Sequence, residues 1–234
     1  SITYRGAVSY TTTTTVAGGV AITSAASTLA DSTLVSSSPV AQFVVGGTTF
    51  GVATFKLSTA VSGTQATVRE LRFTTTGTDA IESITVAGVT RNVAGSGAGA
   101  TTTIPGLNIA ISSTGTDVPV TVKYSGFQNS TTGGSLQASV ASVSITLGYI
   151  EATSGSGSVI TNSTVVASNV MTLVASKPTV TVSSTQGGTL IFGAENKVGE
   201  FTVSADANGK ISVATTTVNL SAVGVTAPAF AAFR

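Results

Sequence analysis

Only 8% of this 234-residue chain is charged, against roughly 25% in an average globular protein, while 43 Thr and 31 Ser make up nearly a third of it. The absence of His, Cys and Trp excludes imidazole acid–base catalysis, thiol chemistry, disulfides and the usual zinc sites. Ten basic residues against nine acidic ones leave +1, too little for a phosphate-binding face, so no nucleic-acid partner is expected.

A hydrophobic content of 41% argues against disorder. No window approaches the ~18 consecutive apolar residues of a membrane span. No charged region followed by an apolar stretch opens the sequence, so any signal peptide is expected to have been removed. A surface hydrated by hydroxyls instead of Lys and Glu suits an extracellular or cell-surface protein.

Residues 1–24 read as extended chain. Ile2, Tyr4, Val8 and Tyr10 fall on one face of a strand, with Gly6 in the middle slot and Thr3, Arg5, Ala7 and Ser9 on the other. A run of five Thr follows at 11–15. Residues 21–39 are Ala/Ser-rich and weakly patterned and read as a linker or a short helix, with 25–39 assigned as the linker.

From residue 40 onward, period-two alternation recurs. Leu107, Ile109 and Ile111 form one such set; Val118, Val120, Val122 and Tyr124 a second; Val143, Ile145 and Leu147 a third. Val180 and Val182 follow Pro178, and Phe201 and Val203 precede a turn. Turn signals at Thr76-Gly77-Thr78-Asp79, Ala87-Gly88, Thr132-Gly133-Gly134 and Asp206-Ala207-Asn208-Gly209 separate the runs. The β-branched content opposes helix, so the fold class is all-β.

A faint internal repeat divides the chain. Phe55 matches Phe201 and Gly63 matches Gly209 at an offset of 146, and Gly77 matches Gly224 at 147. This gives a β-sandwich over 40–176 and a short or incomplete one over 177–234. Pro178 enters the second as an extended residue that cannot pair in a central strand.

The junction Ala175-Ser176-Lys177-Pro178-Thr179-Val180-Thr181-Val182 and the Gly-Glu-Phe-x-Val-x-Ala stretch at 199–205 resemble long Ser/Thr/Val-rich surface proteins of ultrasmall bacteria. Those proteins string immunoglobulin-like sandwiches along the outside of the cell. The resemblance covers roughly residues 40–224. It implies tandem immunoglobulin-like β-sandwiches, a surface location and a structural role, and it brings no catalytic motif.

Candidate chemical sites are few. Asp206, Asn208 and Gly209 match part of a calcium loop but lack its remaining ligands and closing Glu, so they read as a tight turn. Asp79, Glu82, Asp117 and Glu151 are scattered, and no metal site is expected. Glu70 and Glu82 lack the apolar setting that raises a catalytic carboxyl. No Ser-x-x-Lys motif occurs, and the Gly run at 95–99 lacks the Lys-Ser/Thr ending of a phosphate loop. No enzyme activity and no cofactor are expected. Lys56, flanked by Phe55 and Leu57, points to solvent, away from any buried isopeptide cross-link. Asn129, Asn162 and Asn219 head glycosylation sequons, so glycans are the one modification the sequence offers.

The leading expectation is a structural subunit of an extracellular filament or surface polymer. Residues 1–12 would be a donor strand that completes a sandwich in a neighbouring copy, making the partner a second copy of the chain. A surface-layer lattice protein, or an adhesive or carbohydrate-binding module of a larger surface protein, is the alternative. The lack of Trp weakens the sugar-binding reading.

Overall fold

A computed structural model describes residues 14–16, 20–22, 26–77, 79–93, 99–127, 136, 140–183, 194, 197, 199–206 and 211–217. Every regular element among them is a strand. The strands of the larger unit are β3 (Thr33–Leu34), β4 (Gln42–Val45), β5 (Thr49–Leu57), β6 (Gln65–Thr75), β7 (Ile81–Val86), β8 (Val89–Asn92) and β9 (Thr101–Ser112). They continue with β10 (Thr116–Tyr124), β11 (Val140–Val143), β12 (Ile145–Ser154), β13 (Val159–Asn162), β14 (Val166–Ala167) and β15 (Met171–Val174). Two short pairs flank them: β1 (Thr14–Val16) with β2 (Val20–Ile22), and β16 (Thr179–Val182) with β17 (Phe201–Ser204).

Two five-stranded sheets form the body. One has the order β3-β5-β10-β7-β8; the other runs β13-β12-β6-β9, with β14 also paired to β12. Each buries one face in a shared core, where the Phe55 and Phe73 rings meet with centroids 6.0 Å apart. A third sheet, β11-β15-β4, joins them, since β4 leads into β5 of the first and β11 into β12 of the second. Its central strand β15 is parallel to β4 and antiparallel to β11. Gly46, in the turn between β4 and β5, sits where a Cβ would meet the Ser125 carbonyl oxygen at 2.8 Å and the Phe127 ring at 2.7 Å.

The expected alternation appears on β10, where Val118, Val120, Val122 and Tyr124 are all buried, and at Val143, Ile145 and Leu147. Simple alternation then fails at bulges, in each of which an extra residue shifts the inward face by one. On β5 the register skips Val52, so Val52 and Ala53 are both buried. In the second sheet three strands carry such shifts. Arg69 interrupts β6 between Val68 and Leu71, Gly106 interrupts β9 between Ile104 and Leu107, and Gly148 interrupts β12 between Leu147 and Ile150. Beyond Gly106, Leu107, Ile109 and Ile111 share the inward face as expected, with Ile109 only partly buried against the core on this edge strand. The Ala87-Gly88 turn between β7 and β8 has φ of 47° and 81°, the two positive values of a type I′ hairpin.

Residues 26–39 hold a short strand and no helix. Leu29 bridges Thr59, and β3 pairs with β5 through Thr33–Lys56 and Leu34–Phe55. Short runs of Ser and Thr carry little periodic signal, and it is hydrogen bonds to distant strands that order this segment.

Candidate functional site

Among the described residues the buried core lies between Val44 and Leu173, and neither β16 nor β17 contributes to it. The β16–β17 register pairs Val180 with Val203 and Val182 with Phe201, so these four side chains share one face. Thr179, Thr181, Thr202 and Ser204 occupy the other face. The apolar face is uncovered: Val180 is 60% exposed, Val182 69% and Phe201 46%. With Pro178, Ile211 and Val213 it lines an open groove of ≈ 930 Å³. A two-stranded sheet with one open apolar face is marginal in water unless something covers it.

Polar contacts position this hairpin. The Lys177 backbone N–H donates to Asp206 Oδ2 at 2.9 Å, and Lys177 Nζ donates to the Phe43 carbonyl at 3.1 Å. Lys197 pairs with Glu200 beside β17, and that hydrogen bond holds the Glu200 carboxyl below its ordinary value. Asp206 therefore acts at its turn as a hydrogen-bond acceptor; residues 207–210, including Asn208 and Gly209, lie outside the described residues.

A second cluster lies on the outer face of the β13-β12-β6-β9 sheet, beside its bulges. Arg72 Nε bonds Glu70 Oε1 at 2.6 Å, and its guanidinium stacks 4.2 Å from the centre of the Tyr149 ring. The Tyr149 hydroxyl donates to Glu151 Oε2 at 3.3 Å, and Arg69 Nη1 donates to Asn108 Oδ1 at 3.1 Å. The bond to Glu70 raises the Arg72 pKa; desolvation and then the Glu151 charge raise that of Tyr149. Arg72 and Glu70 neutralise one another here, and the Arg72 stack occupies one face of the Tyr149 ring.

The other acids singled out from the sequence stand apart. Glu82 pairs with Lys123 at 2.7 Å and Asp117 with Lys56 at 3.8 Å. Asp79 occupies a left-handed turn at φ 53°. Among the described residues no three acids converge. Lys56 is exposed on β5. Asn162 is described, at the end of β13, with its side chain bonded to Ala30 O and Asp31. The donor-strand positions Ile2, Tyr4, Gly6, Val8 and Tyr10, and the sequons at Asn129 and Asn219, lie outside the described residues. No described helix is long and apolar enough to cross a membrane.

Sequence reasoning found β16 and β17 as strands but not the groove they line. The available signal was the apolar alternation of Val180, Val182, Phe201 and Val203. Compared with family models, curated proteins and solved structures, the chain returns no match.

Proposed function

We propose that the chain is a structural subunit of an extracellular filament or surface polymer, assembled head to tail by donor-strand complementation. In this reading it comprises two tandem immunoglobulin-like units, over 40–176 and 177–234. Residues 1–12 of one copy lay Ile2, Tyr4, Val8 and Tyr10 into the second unit of the next. Polymer formation in this scheme needs neither cofactor nor turnover.

The observation that supports the reading is the uncovered apolar face of the β16–β17 pair. Phe55 and Phe201 occupy matching places in the two halves of the sequence repeat. Phe55 is 1% exposed beneath a second sheet, whereas Phe201 is 46% exposed. Strand addition fills such a face and satisfies an open edge at the same time. Because donor and acceptor surfaces differ, the contact is heterologous and propagates.

Deleting residues 1–12 should convert polymers into soluble monomers that bind an added peptide of that sequence, with electron microscopy and sedimentation as readouts. A truncated chain that still polymerises normally disproves the donor assignment.

A further inference from the structure

Residues 28–39 run between one edge of each large sheet and are bonded to both. Towards β5, Ala30 N–H donates to Ser58 O at 2.9 Å and Val35 N–H to Thr54 O at 2.9 Å, while Thr28 O accepts from Ala60 N–H at 2.8 Å. Ser38 Oγ and the Thr54 backbone exchange two further bonds, at 3.1 and 2.9 Å. Towards the opposite sheet, Asn162 Nδ2 donates to Ala30 O at 3.3 Å and to Asp31 Oδ1 at 3.1 Å. Thr164 Oγ1 donates to the same carboxylate oxygen at 2.6 Å, and Asn169 Nδ2 donates to Pro39 O at 2.8 Å.

The Asn162 amide is fully committed. Its Oδ1 accepts from Thr164 N–H at 2.7 Å, which fixes its orientation and turns Nδ2 towards the strap. Attaching an N-glycan replaces an Nδ2 hydrogen with a sugar carbon. Here both hydrogens serve bonds to Ala30 and Asp31, and the Thr164 hydroxyl is taken as well.

We infer that residues 28–39 are a strap closing one side of the sandwich, locked by Asp31, and that the Asn162-Ser163-Thr164 sequon is the keeper of this lock and not a glycan acceptor. A charge-assisted acceptor receiving two donors is the strongest element of the stitching. The lock also sets where the N-terminal segment leaves the body. In a polymer, a consequence that rests on the proposed function, tension along residues 1–25 then enters both sheets at once instead of peeling the two-residue β3 from β5.

Hydrogen–deuterium exchange of the full chain tests the lock without requiring polymerisation. Asp31→Ala should accelerate exchange of the Ala30 and Val35 amides tenfold or more while leaving β6 and β10 unchanged. Thr164→Val should do the same more weakly, and Thr164→Ser should restore the parent rates. Parent-like protection in both Asp31→Ala and Thr164→Val overturns the lock, as does acceleration spread equally through β6 and β10. Mass spectrometry of protein from its native cells should find the Asn162 peptide unmodified, and a glycan there overturns the keeper role. The outcome of the residue 1–12 deletion bears on the polymer and leaves these results unaffected.

Discussion

Replacing Val182 with Asp separates the proposed acceptor face from the folded core. Val182 is 69% exposed, so the free subunit gains little from it, and a surface change of this kind moves stability by about 0.5 kcal/mol or less. In the proposed polymer the same side chain would be covered. Full burial of a Val stabilises by about 1.5–3 kcal/mol, and the share still exposed is worth about 1–2 kcal/mol. Val180, Val182 and Phe201 together retain enough exposed surface for about 2.5–5 kcal/mol, or roughly two to four orders of magnitude in association. Val182→Asp removes its share and also leaves a carboxylate facing an apolar strand, so peptide binding should weaken at least about tenfold. Thermal denaturation of the chain lacking residues 1–12, together with titration of the 1–12 peptide, measures both quantities. Thr181→Asp, on the opposite face of the hairpin, should bind as the parent does. For contrast, Phe55→Ala in the core should cost about 3–5 kcal/mol of subunit stability. Undiminished peptide binding by Val182→Asp refutes the acceptor site. A loss of more than about 1 kcal/mol in the free subunit shows that the face is already covered within one chain.

Three further outcomes test the fold. Tyr124 is fully buried and its hydroxyl has no hydrogen-bond partner among the described residues, with burial raising its pKa; Tyr124→Phe should therefore leave stability unchanged or raise it by up to about 1–3 kcal/mol in a denaturant titration. Gly46→Ala should destabilise by about 1–3 kcal/mol, because the Ser125 carbonyl 2.8 Å from the new Cβ is backbone and cannot swing away. The bonds from Thr164 and then Asn162 lower the Asp31 pKa from its ordinary 3.8. The stability this carboxylate contributes is accordingly present above pH 3.8 and lost as pH falls below it through the lowered value. An Asp31→Asn chain should lack that acid-dependent step in strap exchange.

Where one face of a strand packs and the other meets water, period two in the sequence is enough to read it, as with Val118 to Tyr124 and Ile145 to Leu147. The paired faces of β16 and β17 were legible in the same way. The bulges at Val52, Arg69, Gly106 and Gly148 were not, because an extra residue changes the inward face only in relation to the strand beside it. For the strap, nothing in its Ser- and Ala-rich sequence announces order; its donors come from Asn162, Thr164 and Asn169, about 130 positions away.

Composition and periodicity by themselves determined an all-β chain with a hydroxyl-rich surface and without His or Cys chemistry, since residue type and local spacing act before any long-range contact forms. Tertiary structure alone decided which apolar faces found a cover. Phe55 and Phe201 sit in similar local sequence, yet one packs under a second sheet and the other stays open. Burial depends on what the rest of the fold brings opposite a strand, and local spacing carries no record of that. The same holds for Asn162, an ordinary sequon in the sequence, which folding places against Asp31.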